Sequence, residues 1–489
     1  MIEAKSELPD GYRLTELGLL PEEWRVIRLG EVVHKTRQID SRKSPTQQFK
    51  YIDVSSVSKE RLAIVGCQTI HGKNAPSRAR KQVEAGDVIF ATVRPYLKRI
   101  AKITPEFDKQ VCSTAFCVLR PRLDTIDSNF LFYTVSYDPF VERVAEHQRG
   151  SSYPAVIDKD VLRESIPLPP LDEQRAIAHV LRTVQEAKEA TEGVIAAARE
   201  LKKSLMRHLF TYGPVPVDQT DRVPMQETEI GSLPAHWRVV RLGEVAEIVY
   251  GVQAAVAHMK DSTKGIPILT NININNDGRI DLSTLRYYDL SKEKREKLLL
   301  QKGDILFNWR SGSRAVVGKT AIFDLDGEFT FSSFILRFRA NDKILSYYLA
   351  FYLQYLKSKG FFSSKGDQSS VNAVFNASLS SKIPIILPTI LEQRKIARML
   401  QAVDEKIQAE EERKAALEAL FKTLLHDLMT ARRRLPTEFI AQFTEPSVGA
   451  NNFSPLPTSQ HLQHTSQQSP LRMSPPVRAG QSSHGAQTP

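Results

Sequence analysis

Cysteine is scarce in this 489-residue chain. Cys67, Cys112 and Cys117 are the only three, and with no C-x-x-C pair and no histidine cluster at zinc-ligand spacing, neither a disulfide framework nor a structural zinc is expected. No stretch approaches 18 consecutive apolar residues, and the opening MIEAKSELPD lacks an apolar signal core, so neither a membrane-spanning helix nor a secretory leader is expected. The expectation is a cytoplasmic protein with no membrane partner. Acidic residues are in deficit: 56 Asp and Glu face 67 Lys and Arg, a formal charge of +11 with a pI near 9.3, which points to a polyanionic partner. With 41% hydrophobic, 8% aromatic and 25% charged residues, the chain is neither disordered throughout nor fibrous. Its length suggests about three domains.

Catalytic signatures are also missing. GSRAVVGKT (312–320) has the Gly-Lys-Thr of a phosphate-binding loop, but Gly312 lies one residue too far from Gly318 for successive backbone amides to wrap a phosphate. A nucleotide-using enzyme remains only as an alternative, as does a DNA-independent helical scaffold. No glycine-rich cofactor loop with a Pro-Pro-aromatic motif marks a methyltransferase. The carboxylates are mixed with Lys and Arg on helical segments rather than clustered for magnesium. No catalytic and no metal-binding residue is therefore assigned. His461, His464 and His484 are scattered in a polar tail and receive no role.

What is present is a repeat. TELGLLPEEWRVIRLGEV (15–32) returns as TEIGSLPAHWRVVRLGEV (228–245), AGDVIF (85–90) as KGDILF (302–307), GSSYPAV (150–156) as QSSVNAV (368–374), and LDEQRAIAHVL (171–181) as LEQRKIARML (391–400). The order is kept while the offset drifts only from 213 to 219. The intervening segments differ, so two copies of one scaffold carry different surfaces. Each copy opens on a strand-like segment, with Trp24 and Trp237 as core candidates, runs through short β-rich stretches separated by turn residues, adds a helical run (130–148 or 344–360) and reaches a Pro-rich junction.

Beyond each junction the period becomes helical. Ile177, Leu181, Val184, Ile195, Leu205 and Leu209 in the first copy, and Ile396, Leu400, Val403, Ile407, Leu417, Phe421, Leu424 and Leu428 in the second, follow an alternating four-and-three register that predicts long helices packed along a narrow stripe. Lys188, Thr191, Lys202, Glu410 and Lys414 interrupt it. Thr389 and Glu392 form a capping box, whereas Pro170 stands at the first helix start. Such helices are roughly 60 Å long, and each is the other's economical antiparallel partner.

The cations suited to nucleic acid recur around the GDVIF and GDILF blocks. Lys73, Arg78, Arg80 and Lys81 precede the first, and Arg94, Tyr96, Lys98 and Arg99 follow it. Trp309, Arg310, Arg314 and Lys319 follow the second. Arginine delivered into a turn can pair with phosphate or make two parallel bonds to a guanine edge. The turns holding Ser151 and Ser152, and Ser369, Ser370 and Asn372, offer further polar contacts.

Over about residues 12–433 this plan resembles the specificity subunit of Type I restriction-modification systems. LPPLDEQRAIAHVL and LPTILEQRKIARML are similar to the openings of that family's two long helices, and GDILFNWRSGS to a recognition-module segment. The resemblance implies an α+β chain that performs no chemistry. Two similar mixed α/β target-recognition domains, 12–170 and 228–388, are separated by long antiparallel helices, 171–212 and 389–433, forming an intramolecular coiled coil with pseudo-twofold symmetry. A linker (213–227) and a disordered polar tail (434–489) complete the expectation. The resemblance further implies an asymmetric two-part site on double-stranded DNA, two methylation subunits that use S-adenosylmethionine, and restriction subunits that use ATP and magnesium. No cofactor is expected on this chain itself.

Overall fold

The computed structural model describes residues 9–253, 265–311, 313, 316–365 and 373–444, with backbone alone at 364, 365, 373 and 374. The repeat is built as two modules of one topology. In the first, a four-stranded sheet has the order Ile100–Lys102, Val88–Ala91, Phe116–Pro121, Val33–His34. In the second, the equivalent strands run Thr320–Ile322, Ile305–Asn308, Ile335–Ala340, Ala246–Tyr250. Val88–Ala91 and Ile305–Asn308 are buried throughout, as strands covered on both faces are, hence the apolar spelling VIFA and ILF, broken only at buried Asn308.

The Gly-Asp that precedes each of these strands has a structural cause. Gly86 and Gly303 are left-handed, with φ of +91° and +93°, and the following Asp closes the turn. Asp87 accepts from the Glu84 amide and takes both nitrogens of Arg120; Asp304 does the same with Gln301 and Arg339. Burial pushes the Asp87 carboxyl up from its ordinary value, against the pull of Arg120.

A second sheet distinguishes the copies. In the first it has four strands, ending with Ala79–Gln82 at one edge; in the second it has three. After an opening hairpin, Tyr12–Thr15 with Gly18–Pro21 or Met225–Thr228 with Gly231–Pro234, the next strand of each module pairs antiparallel with its Pro-rich junction, Arg25–Arg28 with Ser165–Leu168 and Arg238–Arg241 with Pro384–Leu387.

From those junctions rise the long helices, Leu171–Tyr212 and Ile390–Met429. Their shared Glu-Gln pair locks each to its module. The indole of Trp24 donates to Glu173 at 2.9 Å and that of Trp237 to Glu392 at 3.2 Å. Gln174 bonds the backbone at Thr125, Asp127 and Pro169, and Gln393 does so at Lys343, Leu345 and Pro388. Thr389 accepts from the Glu392 amide in a capping box, while Pro170 occupies the N-cap of the first helix. The first helix stops at Gly213, where φ is +88° and an added Cβ would stand 3.1 Å from the Trp237 ring.

The helices lie against each other in opposite directions. Lys202 meets Asp404 at 2.7 Å, Arg199 meets Glu411 at 2.8 Å and Glu192 meets Lys414 at 2.9 Å, so numbers rise on one helix as they fall on the other. Lys202 and Lys414, polar breaks in the stripe, are thus cross-helix ion pairs. Each helix begins in one module and ends in the other. Ile177 and Leu181 share the first module's core with Leu425 and Leu428, and Ile396 and Leu400 share the second's with Met206 and Leu209. Ile195 and Ile407 are buried in the stretch between, whereas Val184, Leu205, Val403, Leu417, Phe421 and Leu424 are only half-buried. Two helices alone cover no more than a narrow stripe.

Two boundaries differ from expectation. The second helix ends at Met429 rather than 433, because Ala431 is left-handed at φ +53°. Residues 434–444 are not a loose tail. Thr437–Ile440 and Ala441–Phe443 form short helical turns that fold back on the first long helix, with Phe439 and Phe443 against His179 and Arg175 donating to the Phe443 carbonyl. Aromatic contacts that a composition count averages away hold this segment. Residues 445–489, including the three tail histidines, lie outside the described residues.

Candidate nucleic-acid interface

In the first module the strand Val88–Ala91 of the GDVIF block leads into a short 3-10 turn, Pro95–Leu97, flanked by two left-handed residues, Arg94 and Lys98, both at φ +50°. Non-glycine residues adopt this conformation only where their surroundings over-determine it. Here the Arg94 amide donates to the Pro154 carbonyl at 2.8 Å, Val93 bridges to Ala155, and the Val156 amide donates to Thr92. The Arg94 turn and the Ser151–Ser152 turn are therefore one surface, closed by the Arg94 guanidinium on the Ser152 carbonyl at 3.3 Å. Asp160 supports it from behind, accepting from Arg149 and from the Ile157 amide; the Arg149 hydrogen bond holds its carboxyl below the ordinary value.

The second module repeats the joint. The Phe375 amide donates to Trp309 at 2.7 Å, and Arg310–Ser311 pairs with Ala373–Val374. Arg310 is exposed and lies over Phe334, its guanidinium carbon 5.9 Å from the ring centre. Arg94 lies likewise over Tyr153 at 5.5 Å. Neither arginine meets a carboxylate among the described residues. Tyr153 and Phe334 were not candidates from sequence: one reads as a turn residue, the other as part of the apolar run SSFILRFR.

The other candidates divide. Lys73, Arg78, Arg80, Tyr96, Ser151 and Ser152 are exposed, but the first three come from the Gly72–Asn74 turn and the run through the Ala79–Gln82 edge strand of the second sheet. Lys81 is a correction. It is 5% exposed, its ammonium held inside by the Phe116 carbonyl at 2.6 Å and by Asp158, so it is not presented to a phosphate. Arg99 is turned inward, donating to the carbonyls of Val54 and Val57. Lys98 is paired with Asp138 at 2.6 Å. Trp309 packs on the second core and donates its indole proton to Ser333, which makes it a support rather than a contact. Lys319 donates to the Ile274 carbonyl. Arg314, Ser369, Ser370 and Asn372 lie outside the described residues.

The phosphate-loop alternative fails on geometry. Gly318 and Lys319 form a turn whose next residue, Thr320, enters a strand paired with Phe307; a phosphate loop would enter a helix there. The cysteine thiols are all held above their ordinary value by burial, Cys112 up to about 12 and Cys117 and the half-buried Cys67 likewise raised, which disfavours the thiolate. Among the described residues no three His, Cys, Asp or Glu side chains gather as a metal-binding group, and no helix is long and apolar enough to cross a membrane.

The family described as "Type I restriction modification DNA specificity domain" matches residues 21–198 and 234–419, once per module. The chain belongs to this family. A putative type I restriction enzyme MjaX specificity subunit of Methanocaldococcus jannaschii is 23% identical over 88% of this chain and 98% of its own length. The HsdS subunit of Thermoanaerobacter tengcongensis, a crystal structure, is 30% identical over 85% of this chain and 98% of that one, with a TM-score of 0.42. A solved chain of a type I R-M system, described for complex assembly and conformational transition, is 29% identical over 85% of this chain and 99% of that one, with a TM-score of 0.54. In this chain a long helix follows each module, and the unlike Arg94 and Arg310 surfaces sit on equivalent joints of the shared scaffold.

Proposed function

We propose that this chain is the non-catalytic DNA specificity subunit of a type I restriction-modification complex, reading a split site with two half-sites of different sequence. One observation carries the reading: equivalent joints of one scaffold present different arginine-bearing surfaces, at opposite ends of a shared antiparallel helix pair. A 42-residue helix is roughly 60 Å long at 1.5 Å per residue. Acting as a coiled-coil spacer, the pair sets two readers at a separation that suits only certain gaps along the DNA repeat of about 34–36 Å. Identical modules related by a twofold would read an inverted repeat; unlike ones do not.

Affinity would come from phosphate neutralisation by the exposed cations of both modules, and specificity from Arg94 and Arg310 at base edges. Methylation subunits carrying S-adenosylmethionine would dock on the outer faces of the helices, and restriction subunits using ATP and magnesium would join through them. Sequencing modified bases in cells with and without this chain, with the methylation subunit present, tests the reading. A chain-dependent split motif is the expected result. Methylation that does not depend on the chain, or a palindromic motif, overturns it.

A further inference from the structure

The Arg94 and Arg310 guanidiniums share an arrangement that the internal repeat does not explain. Arg94 lies over Tyr153 and Arg310 over Phe334, yet the four residues do not occupy matching positions. Arg94 follows Val93, which bridges to Ala155, whereas Arg310 itself pairs with Val374. Tyr153 comes from the turn after a helix, and Phe334 from the turn before a central strand. The two modules reach the same contact by different routes, which is unexpected of leftover scaffold.

Both rings are also exposed, Tyr153 at 75% and Phe334 at 39%, so neither is explained as core. A guanidinium held over the face of a ring loses rotational freedom while the donors that point away from the ring stay free. The backbone beneath is equally constrained: Arg94 is held left-handed by its bond to Pro154 and by the Leu97 amide on its own carbonyl. Arg310 is set in a two-residue strand beside Trp309, which is pinned by Ser333 and by the edge of Tyr250. A fork limited in direction, with a single Arg94 donor engaged by the Ser152 carbonyl and the others unspent, suits the paired N7 and O6 acceptors of a guanine in the major groove.

We infer that Tyr153 and Phe334 are positioning residues for sequence readout, each holding one arginine against a guanine edge, one in each half-site. This rests on the DNA-recognition reading above and adds to it the base read and the residues that aim the reader. The guanine contacted by Arg94 is lost as a requirement when Tyr153 no longer carries a ring, while the second half-site stays strict.

The test uses the full chain assembled with its methylation subunits. Tyr153→Ala, Tyr153→Phe and Phe334→Ala are compared by mapping methylated motifs and by binding to cognate duplexes and single-base variants. Tyr153→Ala is expected to lose roughly tenfold discrimination, within the worth of one bidentate pair, at a single guanine of one half-site. Tyr153→Phe retains it, and Phe334→Ala relaxes a position in the other half-site. Uniform weakening on all sequences, relaxation at a base other than guanine, or unchanged discrimination in both alanine variants overturns the inference and leaves the recognition reading intact. A wild-type complex that prefers no sequence overturns the recognition reading itself.

Discussion

Arg434 forks onto both carboxylate oxygens of Glu173, at 2.7 and 3.0 Å, across 261 positions of sequence. It also reaches Glu23 and lies over Trp24, so the end of the second helix, the start of the first and the first module's opening segment meet at one carboxylate. Glu173 is 2% exposed. Removing Arg434 leaves that charge buried with the Trp24 indole as its remaining side-chain donor, and Arg434→Ala is expected to cost about 3 kcal/mol in urea unfolding. The equivalent Glu392 is paired instead with His236 and is more exposed, so His236→Ala should cost under about 1 kcal/mol. Equal losses would show that the two junctions bear the same load.

Ile407 isolates the helix pair from the modules. It is 2% exposed and belongs to neither module core. Ile407→Ala is expected to destabilise the chain by roughly 2–4 kcal/mol. Because the spacer fixes the separation of the modules, the variant should also tolerate a half-site gap changed by one base pair better than the wild type does. A variant with unaltered melting would mean that the two helices do not depend on each other there.

Where sequence reasoning succeeded and where it failed follows from what each residue interacts with. The helical stripe is a local pattern, so Ile177, Leu181, Ile396 and Leu400 were legible, as was the scaffold role of Trp24 and Trp237. That the stripe's ends belong to the opposite modules was not, since periodicity carries no information about distant chain. Among the cations, sequence could not separate Lys81 from Arg94: both follow an apolar or mixed run, and only the tertiary placement of Asp158 and the Phe116 carbonyl buries one of them. Residues 435–443 lack any helical period long enough to detect and are ordered by two phenylalanines finding His179.

Two cross-helix pairs make the seam respond to pH in opposite directions. The Lys414 hydrogen bond holds Glu192 below its ordinary value of 4.5, so its contribution is complete above that value and is lost as pH falls through the lower folded value. Burial holds Asp404 above its ordinary value of 3.8, against the pull of Lys202. Its folded form takes up a proton more readily, and stability from this group grows as pH falls toward 3.8 and is lost as pH rises. Melting from about pH 7 to about pH 3.5 should give curves in which Glu192→Gln differs from wild type by up to ~0.5 kcal/mol at neutral pH and converges with it below 4.5. Asp404→Asn should lack the wild-type gain on mild acidification. Parallel curves for all three proteins would remove both assignments.

The division of labour between the modules predicts which half-site fails. Arg94 and Arg310 are exposed, unpaired with any described carboxylate, and carried by different modules, so Arg94→Ala should lower affinity for duplexes intact in both half-sites by roughly 1–3 kcal/mol. It should have no further effect on duplexes already scrambled in the half-site that it reads. Arg310→Ala should show the mirror pattern. Lys73→Ala and Arg78→Ala, beside the second sheet's edge strand, should instead weaken all sequences alike and reduce the slope of affinity against salt by about one unit each. If Arg94→Ala behaves like Lys73→Ala, its guanidinium touches phosphate, and the first half-site is read by other residues of the same joined turn.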